Sequence, residues 1–308
     1  MITSGADFSG ETVGDFQAVS SIDGFPDKPY LAEAWYEQTF ADETISVLAG
    51  LFDTNSEFDT VEASDLFFNA SRANGTEYAG AGRNGTGAYP ITPLAVRLKW
   101  SPSDTLELRV AITEGTPRDP DNLDKTTIDF DDGEGVLGLA QINYFTNSGV
   151  RLSATYWQFS ADFDVIDSAN GMQDDGNRGV FGVIEGPISA SEERGLYGFA
   201  RIGIASRTFN EIESYAGGGL YYKAPFGRSA DIIGLGVARS KINDRLRQAG
   251  QFDAAETNFE AAYHAQINDI FSIGAKAQYI KNPGTNPALD DALVLGLRFS
   301  VGKTLEWN

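Results

Sequence analysis

The chain has 308 residues, a formal net charge of -21, a pI near 4.3 and no cysteine. So acidic a balance sets nucleic acid aside as a partner, since phosphate binding needs a basic stripe; the missing thiols remove disulfides, thiolate catalysis and zinc–thiolate sites together. Mean hydropathy is -0.24, and apolar runs such as Val136 to Ala140 and Ala292 to Leu297 fall far short of the about 20 residues a membrane-spanning helix needs.

Strands of a membrane barrel alternate lipid-facing and lumen-facing side chains, so their mean hydropathy is neutral and periodicity has to decide. The N-terminus, Met1 to Asp7, has neither a basic start nor an apolar stretch of signal-peptide type. Two-residue alternation predicts strands near Val13–Ile22, Tyr30–Phe40 and Ile45–Phe52, the last two joined by the tight turn Ala41-Asp42-Glu43-Thr44. A long polar connection over 53–92 follows. Leu94 to Trp100 alternates large apolar residues with Arg97 and Lys99. After Ser101-Pro102-Ser103-Asp104, Leu106 to Thr113 does the same, which makes a hairpin.

Further strands are predicted near Gly135–Tyr144, Val150–Phe159, Gly179–Ile188, Leu196–Ser206, Tyr215–Lys223 and Ile232–Arg239. A second hairpin pairs Phe259 to Ile267 with Phe271 to Tyr279, and Ala292–Gly302 closes the series at about fourteen strands. Joints alternate between short ones, such as Asn147-Ser148, and long polar ones over 53–92, 114–134, 160–178 and 240–256. Short periplasmic turns and long extracellular loops are the asymmetry of outer-membrane barrels. Tyr30, Tyr36, Phe40, Trp100, Tyr144, Tyr156, Phe271 and Tyr279, mostly at strand ends, fit interfacial aromatic girdles. The expectation is one all-β domain over 1–308, a transmembrane antiparallel β-barrel of the bacterial outer membrane.

Several segments resemble the carbohydrate-selective (OprB-like) porin family. They are Leu31-Ala32-Glu33-Ala34-Trp35-Tyr36-Glu37-Gln38, Ala49 to Asp59, Gly195 to Gly203, Asp231 to Ala238 and Gln278-Tyr279-Ile280-Lys281-Asn282-Pro283-Gly284, in family order across nearly the whole chain. The resemblance implies a 16-stranded, often trimeric pore that admits glucose-like sugars by passive diffusion, with no cofactor and no chemical step. It implies lipid and lipopolysaccharide as surroundings and a homotrimer as the assembly. Against the family pattern the sequence is expected to lack the first two strands and the signal peptide, and it ends Leu305-Glu306-Trp307-Asn308.

If the apolar set faces lipid, alternation turns Glu33, Trp35, Glu37, Arg97, Lys99, Glu107, Arg109, Arg151, Trp157, Arg201, Glu260, Lys276 and Arg298 inward. Mixed charge suits a neutral polyhydroxyl solute, because carboxylates accept and guanidinium groups donate hydrogen bonds to hydroxyls; an ion filter would show rings of one sign. Trp35 and Trp157 add flat faces for a pyranose ring, although an inward Trp also fills space beneath a folded loop. Trp35, Glu33, Glu37, Arg97 and Arg109 are expected at the constriction.

Other signals carry less. Gly80-Ala81-Gly82-Arg83-Asn84-Gly85 matches a dinucleotide-binding glycine pattern without the strand and helix it requires. Asp119, Asp121, Asp124, Asp129, Asp131 and Asp132 lack the register of a calcium loop, so no metal is expected. His264 stands without a Ser or Asp placed beside it by sequence. A barrel hydrolase and a soluble β-rich carbohydrate-binding protein are the rival readings.

Overall fold

The computed structural model describes residues 7–22, 31–72, 74–119, 128, 133–166, 168, 171–191 and 194–302. Within them one antiparallel sheet of 13 strands runs as a simple meander. Its strands are β1 (Ala34–Phe40), β2 (Ile45–Leu51), β3 (Leu94–Ser103), β4 (Leu106–Glu114), β5 (Val136–Phe145), β6 (Arg151–Phe159), β9 (Arg178–Ser191), β10 (Arg194–Ala205), β11 (Ile212–Lys223), β12 (Ile232–Ile242), β13 (Ala255–Gln266), β14 (Phe271–Lys281) and β15 (Ala292–Val301). A separate two-residue ladder, β7 (Phe163–Asp164) with β8 (Gln173–Asp174), sits in the β6–β9 connection. No described helix is long and apolar enough to cross a membrane.

Each strand pairs with the next in sequence, so the two-residue period passes unbroken from strand to strand. Val47, Leu98, Val110 and Ala140 stand in one cross-strand row, and Leu48, Arg97, Ala111 and Leu139 in the row behind them on the other face. The first row belongs to a continuous exposed apolar surface that runs through Ile112, Ile142, Ile184, Ile202, Leu235 and Leu297 and reaches 77% exposure at Val301. An apolar surface this extensive has no place in water; in lipid it is the outer wall of a barrel, whose paired strands satisfy the backbone there. Tyr36, Phe40, Trp100, Tyr144, Tyr156 and Tyr279 lie exposed on it. Tyr30 lies outside the described residues.

Two expectations change. Residues Val13–Ile22 are not a strand: Ser9–Val13 forms one π-helical turn that ends at left-handed Gly14 (φ 77°). The amides of Phe16 and Gln17 are taken by the Glu256 carboxylate at 3.0 and 3.1 Å instead of a neighbouring strand. Among the described residues the main sheet accordingly has thirteen strands, beside an expectation of about fourteen. Second, residues 52–93 do not extend away from the sheet as an outer loop. They fold back against its inner face as α1 (Thr54–Phe58), two 3-10 turns (Glu62–Leu66 and Ala70–Arg72) and α2 (Thr76–Ala79).

The physical reason is apolar content. Phe58, Val61, Ala63, Leu66, Phe67, Tyr78 and Ala81 of this segment are buried against Leu137, Leu139, Trp157, Phe159, Phe181, Val183, Tyr197, Phe199 and Tyr221 of the inner wall. Each large side chain so removed from water contributes roughly 1.5–3 kcal/mol, which favours seating the segment on the wall. Glycines on the wall make room: a Cβ at Gly236 would lie 2.7 Å from Arg72 Nε, and one at Gly234 would lie 2.6 Å from Leu66 Cδ2. The protein core lies inside the sheet, between wall and inserted segment.

Candidate functional site

The inserted segment crosses the inner face and pairs its acids with basic residues of the wall. Glu57, at the end of α1, receives Arg97 Nε at 2.8 Å and Arg109 Nη1 at 3.4 Å. Arg97 also reaches Glu37 at 3.0 Å and the Ser46 hydroxyl at 2.6 Å, and Arg109 Nε reaches Glu107 at 2.8 Å. Asn143 donates to Glu107 at 3.0 Å. A second group follows along the wall: Arg151 pairs with Glu185 at 2.8 Å, the Glu62 amide donates to Glu185 at 2.7 Å, and Lys223 pairs with Glu62 at 2.6 Å. The Lys223 ammonium lies 4.4 Å from the Tyr197 ring, which stacks on Tyr221 at 5.2 Å.

These two groups are half-buried, with Glu107, Arg109, Glu57, Arg151 and Glu185 keeping between 13 and 20% of their side-chain surface. They keep part of their surface exposed on the inner face, and their charges alternate in sign. At such sites carboxylates accept from and guanidinium groups donate to a passing hydroxyl, and the paired charges leave little net field.

Deeper beneath the segment the pairs are sealed. Arg201 holds Asp59 through two bonds of 2.7 Å and Glu77 at 2.8 Å, and no more than 2% of any of the three side chains is exposed. Arg72 pairs with Glu260 at 3.0 Å, with both side chains wholly buried; Glu260 also takes the Phe68 amide at 2.7 Å. Trp157 is fully buried, 5.9 Å from Tyr78 and 6.0 Å from Phe159 between ring centres. Burial raises the Asp53 carboxyl, next to α1, to about 6, although it caps that helix by accepting from the Asn55 amide at 2.8 Å.

The inward assignments that lie in strands share one face of the sheet, Glu33 precedes β1, and they divide into different surroundings. Glu37, Arg97, Glu107 and Arg109 converge on Glu57, with Lys99 across the ladder from Arg109. Arg151 belongs to the Glu185 group. Glu33 is exposed, accepts the Asp53 amide at 3.1 Å and stands apart from them. Trp35 is 52% exposed, opposite Gly50, where φ is 137° and any Cβ would collide with the Ala34 carbonyl and Trp35. Trp157, Arg201 and Glu260 lie under the inserted segment, and Lys276 and Arg298 flank the Phe68 ring. Sequence reasoning missed Glu57, Asp59, Glu62, Arg72 and Glu77; the signal for the four acids was their place beside Phe58, Val61 and Tyr78 in a connection too apolar for a solvated loop, and Arg72 gave none.

His264 faces Gly274 and Ile232 across the ladder, neither of which can act as a nucleophile or relay. Gly80 to Gly85 belongs to the inserted segment, past the end of α2. Asp121, Asp124, Asp129, Asp131 and Asp132 lie outside the described residues.

A family profile described as carbohydrate-selective porin, OprB family, matches residues 1–302. Porin B of Pseudomonas aeruginosa is 25% identical over 340 residues, which cover 96% of this chain and 74% of that protein. The high-pH structure of Pseudomonas putida OprB superposes with a TM-score of 0.84 at 22% identity, over 97% of this chain and 80% of that one. The low-pH structure of the same protein gives 0.52 at 20% identity, over 87% and 65%.

Proposed function

The chain belongs to the carbohydrate-selective porin, OprB family, and from that premise we propose that neutral sugars cross it past the alternating charges that the inserted segment sets against the wall. It is an outer-membrane β-barrel porin for carbohydrates. Glu37, Lys99, Glu107, Arg109 and Arg151 are the wall residues that meet solute, with Glu57 and Glu62 facing them, and Arg97 holds Glu37 and Glu57 in position. Glu33 and Trp35 form a separate, more open contact on β1. Trp157, Arg201 and Glu260 hold the segment in place without touching solute.

The observation that carries this reading is the Glu37–Arg97–Glu57–Arg109–Glu107 chain, in which both signs alternate at bonding distance on the inner face of the sheet. Such an arrangement exchanges hydrogen bonds with hydroxyls and discriminates little between anion and cation. Diffusion is passive, with no cofactor and no catalytic step. The apolar outer face takes lipid and lipopolysaccharide, and part of it serves a homotrimer contact; glucose-like monosaccharides are the solute class.

Single-channel conductance in planar bilayers during a glucose titration tests the function. Glucose should reduce the ionic current in a saturable way. A current that stays constant up to high glucose would overturn the sugar-selective reading.

A further inference from the structure

Resting on the sugar-porin reading, we propose that a cavity of about 610 Å³ at the outer mouth of the barrel binds pyranosides that carry an aromatic aglycone. Its size falls within the ~300–1,000 Å³ of small-molecule sites, and its lining includes Phe16, Ala79, Glu211, Ile212, Leu246 and Phe252. These residues come from the N-terminal segment, α2, the connection 206–211, the start of β11 and the connection 243–254. Both connections, with 282–291, leave the sheet at the same end as the inserted segment and opposite the tight turns 41–44 and 267–270. The end with long connections faces outward in such barrels. Glu211 is exposed and Phe252 keeps 37% of its surface, so the cavity opens to solvent.

Buried polar side chains hold these walls together. Asn243, wholly buried, caps α3 (Asp244–Gly250) by accepting from the Arg245 amide at 3.0 Å, and its Nδ2 donates to the Arg207 and Asn210 carbonyls at 2.8 and 2.9 Å. Its own amide donates to the Glu211 carbonyl at 2.7 Å. The helix that bears Leu246 is thereby fastened to the connection that bears Glu211. Glu256, equally buried, takes the Phe16 amide at 3.0 Å and the Gly284 amide at 2.6 Å, which joins the N-terminal segment to the connection after β14. The Thr76 and Ser240 hydroxyls meet at 2.6 Å and fix α2 to β12. α3 ends at Gln251, where φ is 57°, and Phe252 then lies over Gly250, leaving no room there for a Cβ. The cavity is therefore built before any solute arrives.

Its walls are mostly apolar: phenyl rings from two distant stretches of the chain, with Ala79, Ile212 and Leu246, stand against one exposed carboxylate. A bare hexose would lose water from its hydroxyls here and find few partners in return. An aryl group instead buries apolar surface and gains ring contacts with Phe16 or Phe252. The attached pyranose then lies toward the open edge, where Glu211 accepts from its hydroxyls. No residue of the Glu37–Arg97–Glu57–Arg109–Glu107 chain lines this cavity, so capture at the mouth and passage along that chain are separate steps for one solute.

The test is calorimetric titration of the detergent-solubilised barrel with phenyl β-D-glucopyranoside, methyl β-D-glucopyranoside and phenol, corrected for protein-free micelles. Phenyl glucoside should bind wild type about tenfold more tightly than methyl glucoside, the equivalent of roughly 1.4 kcal/mol. Ala79→Trp, which fills the cavity, and Phe252→Ala, which removes a wall from an exposed connection, should each abolish that preference and leave glucose block of single-channel current unchanged. If Ala79→Trp does not fold, Phe252→Ala alone decides. Equal binding of the two glucosides to wild type would overturn the site, as would a preference that survives both substitutions. Phenol binding as tightly as phenyl glucoside would overturn the pyranoside assignment. A channel indifferent to glucose whose preference for phenyl glucoside is lost in the variants would overturn the sugar-selective reading of the charged chain and sustain the cavity.

Discussion

Arg201 of the barrel wall and Glu77 of the inserted segment meet at 2.8 Å with neither side chain reached by water. Asp59 completes the arrangement from the same segment. Replacing Arg201 by Met strands two buried carboxylates, and breaking a buried pair from one side costs about 3–5 kcal/mol. The segment should then leave the wall, so that channel conductance rises and proteolysis cuts between residues 59 and 77. Wild-type conductance and protection in Arg201→Met would show that apolar packing alone seats the segment.

Trp157 tests the packing half of that seat. Among the described residues its indole nitrogen has no hydrogen-bond partner. Trp157→Phe loses little, since it removes a buried N–H that was already unpaired. Trp157→Ala opens a void beside Tyr78 and Phe181 and should cost about 3–5 kcal/mol, read from urea unfolding in detergent. Glucose block should be unchanged in the phenylalanine variant.

Arg97→Ala combined with Arg109→Ala leaves Glu37, Glu57 and Glu107 without their cations. Reversal potentials in a salt gradient should shift toward cation selectivity. A lost hydrogen bond to a charged group, worth about 1.5 kcal/mol, should weaken glucose block by about tenfold. Unchanged selectivity and block would remove both arginines from the solute path.

Asp53 gives the segment a pH dependence of defined sign. Burial raises its carboxyl from 3.8 to about 6, so the folded segment binds a proton more tightly than the released one. Below about pH 4 both forms are protonated and the group is neutral to seating. As pH rises from about 4 to about 6 the seated form must bury a charge and loses stability, and above that the loss is complete. Protection factors of the α1 amides, with the intrinsic base-catalysed exchange rate divided out, should therefore be higher at pH 5 than at pH 7. Asp53→Asn, which keeps the helix cap, should flatten the difference; a pH response that survives the substitution would place its origin elsewhere.

On the outer wall, Leu98 stands mid-strand in β3 with Val47 and Val110 beside it. Leu98→Arg should destabilise insertion by about 2–4 kcal/mol if this face meets the bilayer interior. Folding yield into lipid vesicles measures it, and a yield equal to wild type would contradict the outward orientation of the whole apolar row.

The outer face was legible in the sequence because lipid imposes one rule on every second residue, and rows such as Val96, Leu98 and Trp100 or Leu293, Leu295 and Leu297 obey it without knowledge of their neighbours. Hairpins followed from the same alternation, and the family was legible in the order of segments from Leu31 to Gly284. Val13–Ile22 misled because Val13, Phe16 and Val19 look strand-like, while their burial depends on Glu256 and Ile280 far along the chain. The sequence by itself determined a membrane barrel, which faces its strands turn, and the mixture of charges that points inward. Only the tertiary structure decided which of those charges stay exposed: Arg109 and Arg151 keep part of their side-chain surface, whereas Arg201 and Glu260 do not, because an inserted segment held by contacts more than 120 residues apart in sequence covers them. Alternation is a local rule that assigns a face, but accessibility depends on what packs against that face.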